Sequence, residues 1–142
     1  MDIDFRHKAN LFPKIRNEAL AFLATNLDVN LCYHSHAHTV KVEEAVTFYG
    51  TAEKVSENDV IDLRLAAIFH DSGYIRAYTD NEVHSVNIMT EHLSSFKIDA
   101  RSIERISSII MATRQNCEPI SILEKIICDA DHDYFGTEDY KV

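Results

Sequence analysis

The chain has 142 residues, 46% of them hydrophobic and 26% charged, which is ordinary for a globular protein and predicts one domain over residues 1–142. Lysine and arginine total 14 against 23 aspartates and glutamates, so the formal charge is −9. This acidity argues against a broad nucleic-acid surface and against electrostatic docking on an anionic membrane. It leaves open a small phosphate ester in a pocket, because a metal ion can supply local positive charge.

Other features of the sequence predict a cytoplasmic, helical protein. No apolar run approaches the ~20 residues that span a bilayer, and the acidic N-terminus lacks the apolar segment of a secretory signal. Cys32, Cys117 and Cys128 are an odd number without paired spacing, which favours reduced thiols in the cytoplasm. Only 3 glycines and 2 prolines occur, and so few chain breakers predict an all-α fold.

The first half of the chain predicts three helices. Residues 1–12 form a short arm or a helical turn, and Pro13 takes the first position of a helix, where its missing N–H costs little. A second helix is expected over roughly 35–54. Ser56 with Asp59 fits a capping box, which opens a third helix through the sequence VIDLRLAAIFHD.

The second half predicts three more helices, which end near residues 96, 113 and 133. Their N-terminal signals are, in chain order, Thr79 with Glu82, then Asp99, then Pro119 or Ser121. The six helices are joined by short loops, so we expect a compact helical bundle.

Three of the 8 histidines fall in the segment YHSHAHT at residues 33–39. His34 and His38 are four residues apart, so at the start of a helix they share one face. Alone, this spacing is a weak metal signal, because it recurs by chance in a histidine-rich chain.

Two acidic motifs end later helices. His70 and Asp71 close the apolar third helix, and Asp129, Asp131 and Asp133 alternate in the segment CDADHD. The helix dipole disfavours a carboxylate at a helix C-terminus, so a cation is expected to compensate it, and a solvated helix end is the alternative. Asp129 and Asp131 point about 200° apart on a helix, so at most one of them faces a given site.

Imidazole and carboxylate groups from three helices suit Mn, Fe, Co, Ni or Zn better than Ca. The order of these motifs resembles the HD superfamily of metal-dependent phosphohydrolases. The resemblance covers about residues 33–138 and rests on the stretches YHSHAHTVKV, LAAIFHDSGY, NEVHSVNIMTEHL, IMATR and ICDADHDYFG. It implies an HD-domain helical bundle that hydrolyses a phosphate ester, such as a nucleotide or a related small phosphate.

The resemblance also implies roles for individual residues. Four side chains would hold one divalent metal ion (Mn, Fe, Co, Ni, Zn or Mg): His38, His70, Asp71 and Asp131. Asp131 is preferred over Asp129, because the family's ligand usually follows an alanine and precedes a bulky residue. His34 matches the first histidine of the opening motif, which implies a general acid, and with Asp71 it forms the predicted catalytic set.

Substrate phosphate needs positive charge beyond the metal, and Arg114, Lys41 and Arg76 are the candidate substrate-binding bases. The sequence also departs from the family pattern. Asn81 stands where many relatives have a histidine, and His84 lies three positions later, so a second metal is less expected. His84 and Asp129 are kept as alternative ligands or as residues that support the ligands.

Two other functions stay open at this point. His36 and His84 keep open a di-iron HD-fold oxygenase, which needs more histidines than the four-ligand set. The chain stops soon after the acidic motif, where relatives usually continue with further helices, which keeps open a truncated or decayed HD domain. Such a domain would bind a metal, a nucleotide or a partner without turnover, and a homodimer would then be natural. Tyr74 falls near where some nucleotidase members carry a catalytic glutamate, so that mechanism does not transfer.

Overall fold

The computed structural model describes residues 3–28 and 36–133. Across these residues there are six α-helices, one short 3-10 helix and no strand, so the predicted all-α fold is confirmed. None of the described helices is long and apolar enough to cross a membrane. The elements, in chain order, are α1 (Ile3–Asn26), α2 (His36–Ala52), α3 (Glu57–Phe69), the 3-10 helix (Ser72–Ile75), α4 (Asn81–Ser95), α5 (Ala100–Met111) and α6 (Ile122–Asp133).

The centre of the bundle is α3. Residues 65–69, with the sequence LAAIF, are all fully buried. A helix that is apolar on every side must be surrounded by other helices, because no face of it can be left in water. Accordingly α1, α2 and α5 pack against α3, and α6 closes the bundle against α2. The C-terminal end of α3, where His70 follows, therefore lies deep in the molecule.

Three of the predicted N-terminal signals cap their helices. The side-chain oxygens of Ser56, Asp99 and Ser121 each accept a hydrogen bond from the backbone N–H three residues later, at 3.0, 3.1 and 3.1 Å. Each bond satisfies an N–H that has no partner within its helix and contributes about 1 kcal/mol. The choice between Pro119 and Ser121 is thereby decided in favour of Ser121.

The prediction that Pro13 begins a helix is wrong, because α1 already begins at Ile3 and contains Pro13. Proline removes one internal hydrogen bond from a helix, so other contacts must compensate for it. Residues just before Pro13 supply such contacts. Lys8 is buried against Asp62, and the Phe12 ring is buried with the Arg64 guanidinium 4.4 Å from its centroid.

The capping box predicted at Thr79 is also wrong. The N-cap of α4 is Asp80, which has a left-handed backbone (φ 51°) and makes no side-chain capping bond. Packing sets this helix start, because Asn81 is buried and its carbonyl oxygen lies directly against Gly73 of the 3-10 helix. Tertiary contact therefore overrides the local signal.

The 3-10 helix is packed so closely on α4 that only glycine fits at its centre. A Cβ atom on Gly73 would lie 1.8 Å from the carbonyl oxygen of Asn81. The Gly73 N–H donates to Ser85 Oγ at 2.8 Å, and the Ser85 hydroxyl donates to the carbonyl of His70 at 2.8 Å. These contacts fix the backbone that carries His70, Asp71 and Tyr74.

Candidate metal centre

His38 lies on the buried face of α2. Val42 and Val46, four and eight residues further along, are also buried, so the three side chains share the face that packs into the bundle. An imidazole on such a face needs polar partners, since burying a polar group without one is costly. The partners of His38 are the carboxylates of Asp131 and Asp71, at 3.0 and 3.7 Å from its Nε2.

His70 is held in one orientation by the backbone of α3. Its Nδ1 lies 2.7 Å from the carbonyl oxygen of Ala67, so this nitrogen must carry the hydrogen and donate it. In the neutral ring the other nitrogen, Nε2, then carries a lone pair. That atom is fully buried and makes no aligned hydrogen bond, although it lies 3.3 Å from Asp71 Oδ2 and 3.4 Å from Asp131 Oδ1.

The fold brings together four groups from three distant parts of the chain. His38 comes from the start of α2, His70 and Asp71 follow α3, and Asp131 lies in the last turn of α6. One ligand atom from each of His38, His70 and Asp71 lies within 4.8 Å of the other two. Asp131 joins them through its contacts with both imidazoles.

The spacing of these atoms suits a small divalent cation. Bonds of about 2.0–2.2 Å to a tetrahedral or octahedral ion place neighbouring ligand atoms about 3.0–3.6 Å apart. The four nitrogen–oxygen distances of the cluster are 3.0, 3.3, 3.4 and 3.7 Å. The bond from His70 to the Ala67 carbonyl is the outer contact that usually orients a metal-binding histidine. The residues therefore fit a metal ion.

The electrostatics of the cluster also favour a cation. Burial lowers the pKa of His70, but the charges of Asp71 and Asp131 outweigh this effect and hold the pKa well above its usual 6.5. Burial raises the pKa of Asp131, but hydrogen bonds from His38 and His70 outweigh it and bring the pKa far below its usual range. The cluster thus favours a proton on His70, and a metal ion would compete with that proton.

Comparison with protein families matches the HD domain over residues 36–134. The chain belongs to the HD domain family. Members of this family are generally metal-dependent hydrolases, and the buried histidine and aspartate cluster could hold the metal. Neither the comparison with curated proteins nor the comparison with solved structures found a match.

Two neighbouring cavities open beside the metal cluster of this HD domain. One, of about 260 Å³, is lined by Asp131 and by the loop that follows α5. The other, of about 550 Å³, is lined by Tyr74, by the start of α4 and by the same loop. Thr113, Arg114 and His132 line both cavities, and the two cavities together are called the cleft. Through its smaller cavity the cleft reaches Asp131 of the cluster.

The three predicted substrate-binding bases lie in different surroundings. Arg114 lines the cleft, and its Nε donates to the carbonyl of Met111 at 3.0 Å. Lys41 is exposed on α2, one turn after His38. Arg76 forms an ion pair with Glu91 at 2.9 Å. Of the three, only Arg114 is placed in the cleft, and all three roles stay predictions.

The remaining candidates lie apart from the cluster or outside the described residues. His34, the predicted general acid, falls in the undescribed segment 29–35. Asp129 is exposed on α6, two residues before the half-buried Asp131. His84 is half-buried on α4 and is not in the metal-ligand group found among the described residues. His36 is exposed at the start of α2.

Sequence reasoning missed two groups that shape this site, the Ala67 carbonyl and the Ser85 hydroxyl, and it named Tyr74 without assigning it a role. The carbonyl belongs to the backbone, so no side-chain pattern could reveal its role. Ser85 acts across 15 residues of chain by bonding the carbonyl of His70. Tyr74 had one available signal, since it follows Asp71 by three residues and so returns to the same side of a 3-10 turn.

Proposed function

We propose that this HD domain is a metal-dependent phosphohydrolase that hydrolyses a small phosphate ester such as a nucleotide. One observation carries the proposal: two imidazoles and two carboxylates from three helices converge with 3.0–3.7 Å between nitrogen and oxygen. Such a set is costly to bury and suits a divalent ion. Its position at the wall of an open cleft supports a catalytic use.

The ion would be held by four residues: His38, His70, Asp71 and Asp131. When bound, it would lower the pKa of a water ligand from about 15.7 towards 7 and polarise a phosphoryl oxygen. The protein supports this chemistry by fixing its own groups in advance. The Ala67 carbonyl keeps the hydrogen of His70 on Nδ1, and Asp71 is held by the 3-10 turn against α4.

The substrate would lie in the cleft with its phosphate towards Asp131. Arg114 lines that cleft and supplies positive charge for the phosphate. Lys41 and Arg76 are proposed as weaker electrostatic contributors. His34 remains the proposed general acid, because an imidazole with a pKa of about 6.5 can deliver a proton to a leaving oxygen at neutral pH.

Metal analysis of tag-free protein, with Asp71→Ala beside the wild type, tests the proposed centre. We expect near one divalent ion per wild-type chain and loss of the ion in the variant, with the helical circular dichroism retained. No metal after incubation with Mn, Ni or Zn would overturn the proposal and favour a binding module. Two irons per chain without phosphatase activity would favour the oxygenase.

Hydrolysis is then measured on p-nitrophenyl phosphate and a panel of nucleotides, with the metal-loaded protein and the Asp71→Ala variant. Turnover that needs both the metal and Asp71 is the expected result. His34→Ala tests the general acid separately. Unchanged turnover with the metal still bound would rule His34 out and leave the metal centre intact.

We also propose a cytoplasmic location and a homodimer. Cys117 and Cys128 are free thiols in the structure, which agrees with a reducing compartment. Ile120 is 86% exposed beside the half-exposed Ile122, and an apolar pair of this kind favours a protein contact. Sizing by light scattering would distinguish a monomer from a dimer.

A further inference from the structure

Tyr74 follows the cluster residue Asp71 by three positions and lines the larger cavity. It belongs to the 3-10 helix that follows Asp71, and its backbone N–H donates to the carbonyl of Asp71 at 3.2 Å. The neighbouring Gly73 is locked against α4 by its bond to Ser85 and by the absence of any side chain. Tyr74 therefore has little freedom to move away from the cluster.

The side chain of Tyr74 faces the cleft. It lines the cavity of about 550 Å³ together with Thr113, Arg114 and His132, and these three residues also line the cavity that reaches Asp131. The Tyr74 ring lies 6.2 Å from the ring of Tyr78, with the planes tilted by 58°. Tyr74 and Arg114 therefore line the same cavity from two different segments of the chain.

The hydroxyl of Tyr74 keeps its hydrogen at any physiological pH. Burial raises its pKa, and the negative charges of Asp71, Glu82 and Asp131 raise it further, to about 12. The backbone bond from Tyr74 to Asp71 keeps the residue beside the metal cluster, and its side chain lines the larger cavity. A neutral hydroxyl can donate a hydrogen bond there without giving up a proton.

A phosphate dianion bound at this cluster would be surrounded by carboxylates. The bound metal offsets part of their charge, and the remaining phosphoryl oxygens then need hydrogen-bond donors. Tyr74 and Arg114 are donors placed in the cleft by different parts of the chain, the first beside Asp71 and the second after α5.

We propose that the Tyr74 hydroxyl donates a hydrogen bond to a terminal oxygen of the substrate's phosphate group, opposite Arg114. The hydroxyl gives up no proton, so this contact is distinct from the general-acid step assigned to His34. The inference rests on the proposed phosphohydrolase function and adds a substrate contact to it. If the Tyr74 hydroxyl only oriented Asp71, its removal would weaken metal binding. Metal content and phosphate affinity therefore distinguish that role from a direct contact with the substrate.

The experiment compares the wild type, Tyr74→Phe and Tyr49→Phe, each loaded with Mn²⁺. Tyr49 lies on α2, packed against the core, and serves as the matched control for loss of a tyrosine hydroxyl. Three quantities are measured: the Mn²⁺ content, the affinity for inorganic phosphate by calorimetry, and kcat and KM for p-nitrophenyl phosphate.

We expect Tyr74→Phe to bind inorganic phosphate about 10-fold more weakly and to lower kcat/KM about 10-fold to 100-fold, at unchanged Mn²⁺ content, because a hydrogen bond to a charged group is lost. Tyr49→Phe should match the wild type. Loss of Mn²⁺ from Tyr74→Phe, or phosphate binding equal to the wild type, would overturn the inference alone. A wild type that neither binds nor hydrolyses phosphate would overturn the proposed function and the inference with it.

Discussion

Two of the buried ionic clusters in the described part of the bundle are built in opposite ways. In the first, the fully buried Asp62 accepts hydrogen bonds from Lys8 and Arg105, each at 2.6 Å, and Lys8 also donates to Ser102 at 2.9 Å. The second is the metal cluster, where the carboxylates of Asp71 and Asp131 face imidazoles instead.

The difference lies in the kind of cation that each carboxylate meets. The ammonium group of lysine and the guanidinium group of arginine offer only hydrogens, so the Asp62 cluster is complete without a ligand. An imidazole can be neutral and then offers a lone pair, so the metal cluster can exchange its protons for a metal ion. A buried ionic cluster is therefore structural or functional according to whether its partners can give up their protons.

The largest expected effect is on the structural cluster. Asp62→Asn leaves Lys8 buried without its counter-charge, so we expect the free energy of unfolding to fall by about 3–5 kcal/mol. The metal content of the folded protein should not change. Urea unfolding measures the loss of stability, and metal analysis measures the metal content.

A double variant provides the control for Asp62. Replacing the buried pair with apolar residues, Lys8→Met with Asp62→Leu, should recover most of the lost stability, because no buried charge is left unpaired and the partly exposed Arg105 guanidinium can be solvated. A double variant as unstable as Asp62→Asn would show that the ion pair itself, and not the stranded charge, holds these helices together.

The second effect concerns the metal cluster. Asp131→Ala should weaken metal affinity by more than the factor of about 10–100 seen for outer-shell partners, because its carboxylate contacts both imidazoles. Asp129→Ala, the same change on the exposed side of α6, should leave the affinity unchanged. Titration with a competing chelator measures both. Equal losses in the two variants would contradict the choice of ligand.

The third effect is the pH dependence of stability. The pKa of His70 is raised in the folded metal-free protein, so its protonation stabilises the fold fully below about pH 6.5, and this contribution is lost as the pH rises through the folded pKa. Metal displaces that proton, so the stabilisation by metal should grow with pH. At 100 times the Kd it amounts to about 2.7 kcal/mol.

Thermal denaturation at pH 6 and pH 8, in EDTA and with added metal, tests this prediction. The melting temperatures of the two forms should diverge as the pH rises. If the melting temperatures of the metal-free and metal-loaded forms changed equally with pH, metal and proton would not compete at His70.

The smallest effect concerns backbone packing beside the site. Gly73→Ala would place Cβ 1.8 Å from the Asn81 carbonyl oxygen, so the 3-10 helix must shift at a cost of about 1–3 kcal/mol, and metal affinity should fall with it. Gly50→Ala is the matched control. Its Cβ would lie 3.4 Å from the nearest side-chain atoms, and alanine in a helix should add about 0.5–1 kcal/mol of stability. In chemical denaturation, Gly73→Ala should lower the free energy of unfolding and Gly50→Ala should raise it. Changes of the same sign in the two variants would contradict this account.

Much of the fold could be predicted because its signals are local. A capping side chain such as Ser56 or Asp99 bonds an N–H three residues away, and an apolar run such as residues 65–69 must be buried whatever surrounds it. The two wrong helix starts, at Pro13 and Thr79, are places where contacts with another helix outweigh the local preference. The extent of the domain, residues 1–142, stays a prediction.

The sequence predicted only part of what the structure shows about the metal cluster. The resemblance pointed to His38, His70, Asp71 and Asp131, and the structure brings these four together, while their role as ligands stays a prediction. The burial of Lys8 was not predicted, because lysine is rarely buried and nothing local distinguishes this one.

The sequence by itself determined the helical class, three of the helix caps, the apolar character of the LAAIF segment and the family motifs, because each depends on residues near one another in the chain. Only the tertiary structure decided which carboxylate of α6 meets the imidazoles, which nitrogen of His70 faces the cluster, and which tyrosine and arginine share the cleft. These outcomes depend on the rotation of each helix and on backbone atoms from distant segments. Such relations exist only once the helices have packed, so no local pattern can contain them.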